Sequence, residues 1–384
     1  MRRDVVIVGG GLAAVRTAQA LRDLRFEGSI LLVSDEDRLP YDRPPLSKDY
    51  LLGRAGDDDI CLLGAERVGE LDVELRLGRP AVRLDREARR VTLAGDGDVE
   101  YEQLVVATGA RANRLPALDG LAGIVYLRTA GDARALRDAL AERPRVGIVG
   151  GGFIGLEVAS VARQLGCEVT VIEMAPAPLA VVLGTELGSF VQEWHEGQGV
   201  VFRCGSVVTG ARGDGRLEEL VLACGTTVPA DVAIVGVGVT PNVDWLDGSG
   251  LDVHRGVLCD AHGRTSDPAV FGVGDATCRH IDGQCRVSGH WTAATDHADM
   301  VASLIVGEAV DDSFAQEGYF WSDQFGSRLQ FAGTVGADPQ LSVASGAIPD
   351  RAFVALLGEP DRATAVFAMN SPREFMRTSL ALRR

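Results

Sequence analysis

The chain carries two glycine-rich turns of one design about 140 residues apart, and this repetition constrains its fold more than any other feature. The first is Gly9-x-Gly11-x-x-Ala14, within DVVIVGGGLAAVRTAQAL; the second is Gly150-x-Gly152-x-x-Gly155, within RVGIVGGGFIGLEVASVARQLG. Each follows a short Val/Ile run that reads as a buried strand, and each opens a helical pattern. A second strand then ends in an acid: Asp35 in SILLVSDED and Glu173 in EVTVIE. The separations are 26 positions from Gly9 to Asp35 and 23 from Gly150 to Glu173, and both fit a strand–helix–strand unit.

The three small residues of such a turn have separate tasks. The first glycine permits the tight turn, the second lets the backbone approach a pyrophosphate, and the third allows close packing of helix on strand. Ala14 takes the third place in the first copy, a change that packing tolerates. Phosphates then meet free N–H groups at a helix N-terminus, and the acid accepts a hydrogen bond from a ribose hydroxyl. One copy alone often marks only a tight turn. Two copies, each with strand, helix and acid in place, point to two dinucleotides held at once, one able to hand electrons to the other. The fold class expected is α/β: two Rossmann-like dinucleotide-binding domains plus a smaller α+β C-terminal domain.

The 384 residues suffice for two or three domains, and 46% apolar content supplies their cores. A net charge of −16 argues against nucleic acid or an anionic membrane as partner. The opening MRRDVVIVGGGLAAVRTAQA imitates a secretory signal, with paired arginines and Ala18-Gln19-Ala20. Read instead as strand, glycine loop and helix, it puts Asp35 where an acid is needed. No apolar run approaches the ~18 residues of a membrane helix, so a soluble, cytoplasmic protein is expected. Seven scattered cysteines without a C-x-x-C suggest reduced, mostly structural thiols. Cys278 and Cys285, with His280 between them, lack the spacing and ligand number of a metal site.

The motifs divide the chain. Residues 1–110 and 231–312 read as one discontinuous domain, 111–230 as a second inserted within it, and 313–384 as the C-terminal domain. ARALRDALAERP and WTAATDHADMVASLIVG read as helices, YFWSDQFGSRLQFAGTVG and RAFVALLG as strands, and SPREFMRTSLALRR as a terminal helix.

ATGAR at 107–111, VGVGVTPN at 235–242 and FGVGDAT at 271–277 resemble the glycine turns of the two-dinucleotide flavoprotein disulfide reductase superfamily. PYDRPPLSK at 40–48 and FWSDQFGSRLQFAG at 320–333 narrow the likeness to the NADH-dependent ferredoxin reductases of bacterial P450 and aromatic-ring dioxygenase systems. The match runs the length of the chain. It implies FAD in the first site and NADH in the second, with electrons leaving singly to a [2Fe–2S] ferredoxin that feeds a P450 or oxygenase. A rubredoxin as acceptor, direct reduction of a small molecule or oxygen, and a slow NADH-dependent redox sensor are the alternatives.

The resemblance places FAD on Gly9, Gly11, Ala14 and Asp35, with Glu36 the alternative ribose contact. Arg43, Pro44 and Lys48 would cover the pyrophosphate and the flavin edge. Ala107, Thr108 and Gly109 would approach by backbone, as would Gly238 and Gly274, and Asp275 would bind the ribityl hydroxyls or cap a helix. Trp291, Thr292 and Trp321 would border the isoalloxazine, unless they are core packing. NADH would lie on Gly150, Gly152, Ile154 and Gly155, with Glu173 on the adenosine ribose. Glu157 would pair with Lys48 beside the flavin; a first-turn acid favoured by the helix dipole is its bland alternative. The catalytic candidates are thus Lys48, Glu157 and Trp321.

Relatives also carry an acid just before the first of these tryptophans, as in R-V-E-x-W; here the segment reads Arg286-Val287-Ser288-Gly289-His290-Trp291. Positions 38–50 hold no cysteine and position 42 is aspartate, which argues against thiol redox chemistry. Arg76, Arg79, Arg83, Arg279 and the C-terminal arginines are candidates for a basic docking patch.

Overall fold

A computed structural model describes residues 2–281, 283–287, 289–310, 319–336, 339–359 and 362–382. The chain gathers into two compact units. The first comprises Met1–Asp42, Asp57–Arg111 and Val239–Gly318; the second comprises Arg43–Gly56, Ala112–Gly238 and Tyr319–Arg384.

The first unit is built on a seven-stranded sheet. Strands Val73–Arg76, Ile30–Val33, Arg2–Val8 and Gly97–Val106 lie side by side and parallel. Val5–Val8, Ile30–Val33 and Leu104–Val106 are all buried, the continuous apolar run that a parallel sheet covered on both faces demands. Gly97–Val106 is long enough to serve two partners on one edge. Its first half pairs antiparallel with Arg90–Leu93, and Leu104–Val106 pairs parallel with Val270–Gly272. The carboxyl ends of five parallel strands therefore open at one edge, where ligands bind in open α/β sheets. The turns starting at Gly9, Ser34, Ala107 and Val273 leave from that edge.

The second unit repeats the plan. Val200–Cys204, Glu168–Glu173, Arg145–Val149, Val232–Val235 and Ile124–Val125 form a parallel sheet in that order. Val208–Arg212, Glu219–Leu222 and Thr227–Pro229 form a separate three-stranded antiparallel sheet. The same unit holds a five-stranded antiparallel sheet in the order Phe320–Gln324, Ser327–Gly333, Arg362–Met369, Ala352–Glu359, Gln340–Ala347, followed by helix Pro372–Leu382. Phe320–Gln324 alternates buried and half-buried residues. Its Phe320 meets Phe153 edge-on at 4.6 Å, which ties this sheet to helix Phe153–Gln164.

Helix Ala130–Ala141 begins with a capping box. The Thr129 hydroxyl accepts from the Asp132 N–H, and the Asp132 carboxylate accepts from the Thr129 N–H at 2.7 Å. Thr129→Ala should lower stability by about 1 kcal/mol, read as a lower midpoint of urea unfolding at unchanged slope.

Candidate functional site

Both fingerprints adopt the same geometry. The Gly9 N–H donates to Val33 O at 2.7 Å, and the Gly150 N–H to Ile172 O at 2.8 Å. Gly9 takes φ +145° and Gly150 φ +105°, conformations that side chains rarely allow. A Cβ on Gly9 would overlap the Ala107 carbonyl, and one on Gly150 the Gly236 carbonyl. In each case that carbonyl belongs to the residue just past the next parallel strand. A Cβ on Gly155 would overlap Gly150 O, so the third glycine of the second copy is sterically required; Ala14 fills the same place in the first copy, fully buried.

The middle glycines differ from these. Nothing lies within 4 Å of where a Cβ on Gly11 or Gly152 would stand. Both take negative φ and act as helix N-caps without a side-chain hydrogen bond, and neither helix has an acid in its first turn. The chain thus leaves the dipole and N–H groups of both helices uncompensated and the space before them open. That combination fits a pyrophosphate, and it is where FAD and NADH would be held.

The two acids are placed differently. Glu173 ends its strand, and its carboxylate accepts from the N–H groups of Gly151 at 2.5 Å and Ala175 at 2.7 Å. Two oxygens with about four acceptor positions leave room for ribose hydroxyls. In the first unit the residue facing the middle of the loop is Ser34, whose Oγ lies where a Gly10 Cβ would go, as Glu173 Oε2 does at Gly151. Asp35 is exposed, whereas Glu36 is half-buried and accepts from the Tyr41 hydroxyl at 2.6 Å. Glu36 is therefore the acid that the fold orients.

The rest of the first unit's candidates cluster at the same sheet edge. The Thr108 hydroxyl donates to Asn242 O at 2.6 Å, and the Asn242 N–H donates to Gly109 O. Asn242 was not singled out in sequence, although it closes the TPN motif. Gly274 takes φ +63° and packs toward Ala13 and Ala294, joining its turn to the helix that starts after Gly11 and to helix Trp291–Val306. Asp275 occupies a single 3-10 turn that runs into strand Thr277–Ile281, so it caps no α-helix. Burial pushes His290 down, against the opposing pull of Asp275. Trp291 and Thr292 begin helix Trp291–Val306, and the Trp291 indole donates to Asp42 at 3.0 Å. Ser288, where the R-V-E-x-W pattern departs, lies outside the described residues.

The second unit brings Lys48 and Glu157 together. Lys48 Nζ stands 2.7 Å from Glu157 Oε2, with the two side chains 17% and 5% exposed. Ser47 Oγ donates to Glu157 Oε2 and Ser322 Oγ to Oε1, both at 2.5 Å. Glu157 lies beyond the first turn of its helix and is buried, so the dipole alternative does not describe it. Pro44–Ser47 form one 3-10 turn, and Arg43 donates to Arg128 O at 2.6 Å. Ile154, at the helix start, is 47% exposed. Gly238 takes φ +103° beside Asn113. Trp321 stacks on Tyr319, on the opposite face of its strand from Ser322.

Three expectations are corrected. Arg279 is 4% exposed, with a guanidinium whose affinity for protons burial lowers, so it offers no docking surface. Arg76 is bonded to Glu74 and Asp96, which neutralise it; Arg79 and Arg83 are exposed, and Arg383 and Arg384 lie outside the described residues. Cys278 and Cys285 are joined across the hairpin of Thr277–Ile281 and Gln284–Arg286 rather than free. Among the described residues no His/Cys/Asp/Glu group is arranged for a metal, and no helix is long and apolar enough to cross a membrane.

Two Rossmann-like units, each with an open phosphate cradle, and a C-terminal α+β sheet define a two-dinucleotide reductase. The chain belongs to the pyridine nucleotide-disulphide oxidoreductase family, which it matches over residues 3–298, and residues 319–384 match the reductase C-terminal family. It is 36% identical over 379 residues to rhodocoxin reductase of Rhodococcus erythropolis, covering 97% of this chain and 88% of that one. It is 39% identical over 383 residues to the anthranilate 1,2-dioxygenase system ferredoxin–NAD(+) reductase component of Burkholderia cepacia, covering 96% and 91%. Among solved structures, the putidaredoxin reductase of a covalent complex with putidaredoxin aligns with TM-score 0.94 at 32% identity, covering 99% and 93%.

The two kinds of glycine separate by mutation. Gly11→Ala should keep the far-UV circular dichroism of the parent yet purify with little flavin, measured as flavin absorbance per chain. Gly9→Ala should lose the fold.

Proposed function

We propose that this protein is an FAD-containing oxidoreductase that takes hydride from NADH and passes electrons singly to a [2Fe–2S] ferredoxin serving a P450 or oxygenase. The observation that carries the reading is the pair of open cradles at Gly11 and Gly152 within one chain, each beside an oriented acid. Full-length similarity to reductase components of oxygenase systems supports the ferredoxin as acceptor. A cytoplasmic location accords with that role.

Bound FAD supplies the chemistry, accepting two electrons as hydride and releasing them one at a time. The chain supplies position and electrostatics. The first cradle would hold the FAD pyrophosphate at the N-terminus of helix Leu12–Asp23, with Glu36 or Asp35 toward the ribose and Asp275 toward the ribityl chain. The second would hold NADH before helix Phe153–Gln164. Glu173 accepts from a free 2′-hydroxyl and repels a 2′-phosphate. Met174-Ala175-Pro176-Ala177 offer no cation to receive one, so NADH is preferred over NADPH. Lys48 and Glu157 would orient the nicotinamide of the NADH held in the same unit. Asp42 stands where thiol-dependent relatives keep a cysteine, and its hydrogen bond to Trp291 gives it a different task.

Glu173→Ala should raise KM for NADH about tenfold, the worth of one charged hydrogen bond, and narrow the preference over NADPH. An unchanged NADH/NADPH ratio would refute the assignment. The function itself is tested by NADH-driven cytochrome c reduction with and without a [2Fe–2S] ferredoxin. Strong stimulation by the ferredoxin is expected. Rapid flavin reduction without stimulation would turn the reading toward a direct reductase or a different carrier.

A further inference from the structure

Glu157 does not end the polar contacts that begin at Lys48. Ser322 Oγ, which donates to Glu157 Oε1, lies 2.9 Å from Gln324 Nε2, and Gln324 Oε1 lies 2.7 Å from His195 Nε2. Ser322, Gln324 and His195 are 0%, 1% and 0% exposed, and all belong to the second unit. His195 sits among the rings of Trp194, Phe202 and Phe325, and its Nδ1 is buried without a hydrogen-bond partner.

The direction of each bond follows from proton counting. An ionised carboxylate only accepts, and a serine hydroxyl has one proton. If Ser322 gives that proton to Glu157, its oxygen must accept from the Gln324 amide N–H. The Gln324 carbonyl then faces His195, which must donate from Nε2. Nδ1 is left as a bare lone pair, and the imidazole is neutral. Burial agrees, lowering the His195 pKa to about 4 against the smaller raising effect of Gln324.

The opposite direction would require a proton on Glu157 Oε1 and the Gln324 amide turned over. Ser322 would accept from the carboxyl and donate to the Gln324 carbonyl, the Gln324 amide would donate to His195 Nε2, and the ring proton would move to Nδ1. That would be a buried N–H with no acceptor, which is costly. We propose that Ser322, Gln324 and His195 are positioning residues: a one-way line of donors that holds Glu157 as an oriented carboxylate against Lys48, with the His195 tautomer locked by the charge of Glu157. Among the described residues of this unit, Lys48 is the charged group paired with Glu157, and Asp323 on the far side of the strand pairs with Arg328 at 2.8 Å. The inference rests on the proposed role of the Lys48–Glu157 pair.

Two measurements on the FAD-loaded protein test it. Selective ¹⁵N-histidine labelling, with the His195 signal assigned by its loss in His195→Phe, should find a neutral Nε2–H tautomer at pH 7. An Nδ1–H tautomer or a cationic ring would overturn the proposal without any need for a variant to fold. In anaerobic stopped-flow, Ser322→Ala and Gln324→Leu should lower the limiting rate of flavin reduction by NADH about tenfold, with the NADH Kd held within about twofold. A wild-type limiting rate, or a change confined to Kd, overturns it. Glu157→Gln separates the two layers. If it reduces flavin at the wild-type rate, the role of the pair fails and this inference with it. If it is slow while Ser322→Ala and Gln324→Leu are fast, only the line from Ser322 to His195 fails.

Discussion

Both glycine-rich cradles depend on one close approach: the first glycine of each fingerprint runs against a carbonyl just past the neighbouring parallel strand. Gly9 meets Ala107 and Gly150 meets Gly236 where no Cβ could fit. This contact forces positive φ at the glycine, so the chain turns at once from strand to helix. The first helical N–H groups then come to the sheet's carboxyl edge with no side chain available to cap them. Everything proposed for the cofactors follows from that edge. The turns at Ser34, Ala107 and Val273 reach it in the first unit because their strands are parallel and in register with Arg2–Val8, directly or through Gly97–Val106.

The second constraint is the burial of a carboxylate. Glu157 is 4% exposed, and an isolated ion there would be severely penalised. The fold answers with Lys48 and two serine hydroxyls, drawn from the 3-10 turn at Pro44–Ser47 and from strand Phe320–Gln324. These segments are far apart in sequence, and the buried ion explains why both must dock on helix Phe153–Gln164. The Phe153–Phe320 contact and the Phe325 N–H bond to Ser160 Oγ at 2.7 Å secure the strand along the helix on either side of Glu157. Removing one partner of a buried pair leaves the other charge unpaired, so this cluster couples the C-terminal sheet to helix Phe153–Gln164.

Much of this was legible in the sequence where the cause is local. Glycine spacing, apolar runs and terminal acids are read within about 30 residues, and the parallel sheets follow from them. Helices Ala130–Ala141 and Trp291–Val306, the strands around Trp321 and Ala352, and the terminal helix also stand where patterning puts them. What escaped was non-local or faced the wrong way. FWSDQ drew attention to Trp321, yet the alternate residues Ser322 and Gln324 point inward to the buried acid. His195 looked like any helical histidine, because nothing local announces that Gln324 meets it. Arg279 reads as a surface charge until its strand is seen to be buried along Thr277–Arg279. Cys278 and Cys285 look scattered until a hairpin brings them together.

The two cradles share a backbone but differ at the floor, and that difference bears on which dinucleotide each would take. In the second, Glu173 fills the position below Gly151 and is held there by two backbone N–H groups, so its charge is fixed beside the fingerprint turn. In the first, neutral Ser34 fills that position, and the acid is displaced to Glu36, held by Tyr41. Tyr41 lies next to Asp42, which Trp291 binds. The orientation of Glu36 is thus tied to the segment that borders the proposed flavin site, whereas Glu173 is tied to the fingerprint turn through Gly151 and to the end of its own strand through Ala175. A cofactor retained through many turnovers gains from an acid whose position depends on the surrounding structure. A substrate that comes and goes gains from one set by the turn that would receive it, so under the proposed assignment the anchoring of Glu173 on Gly151 suits exchange of NADH and the shared anchoring of Glu36 suits retention of FAD.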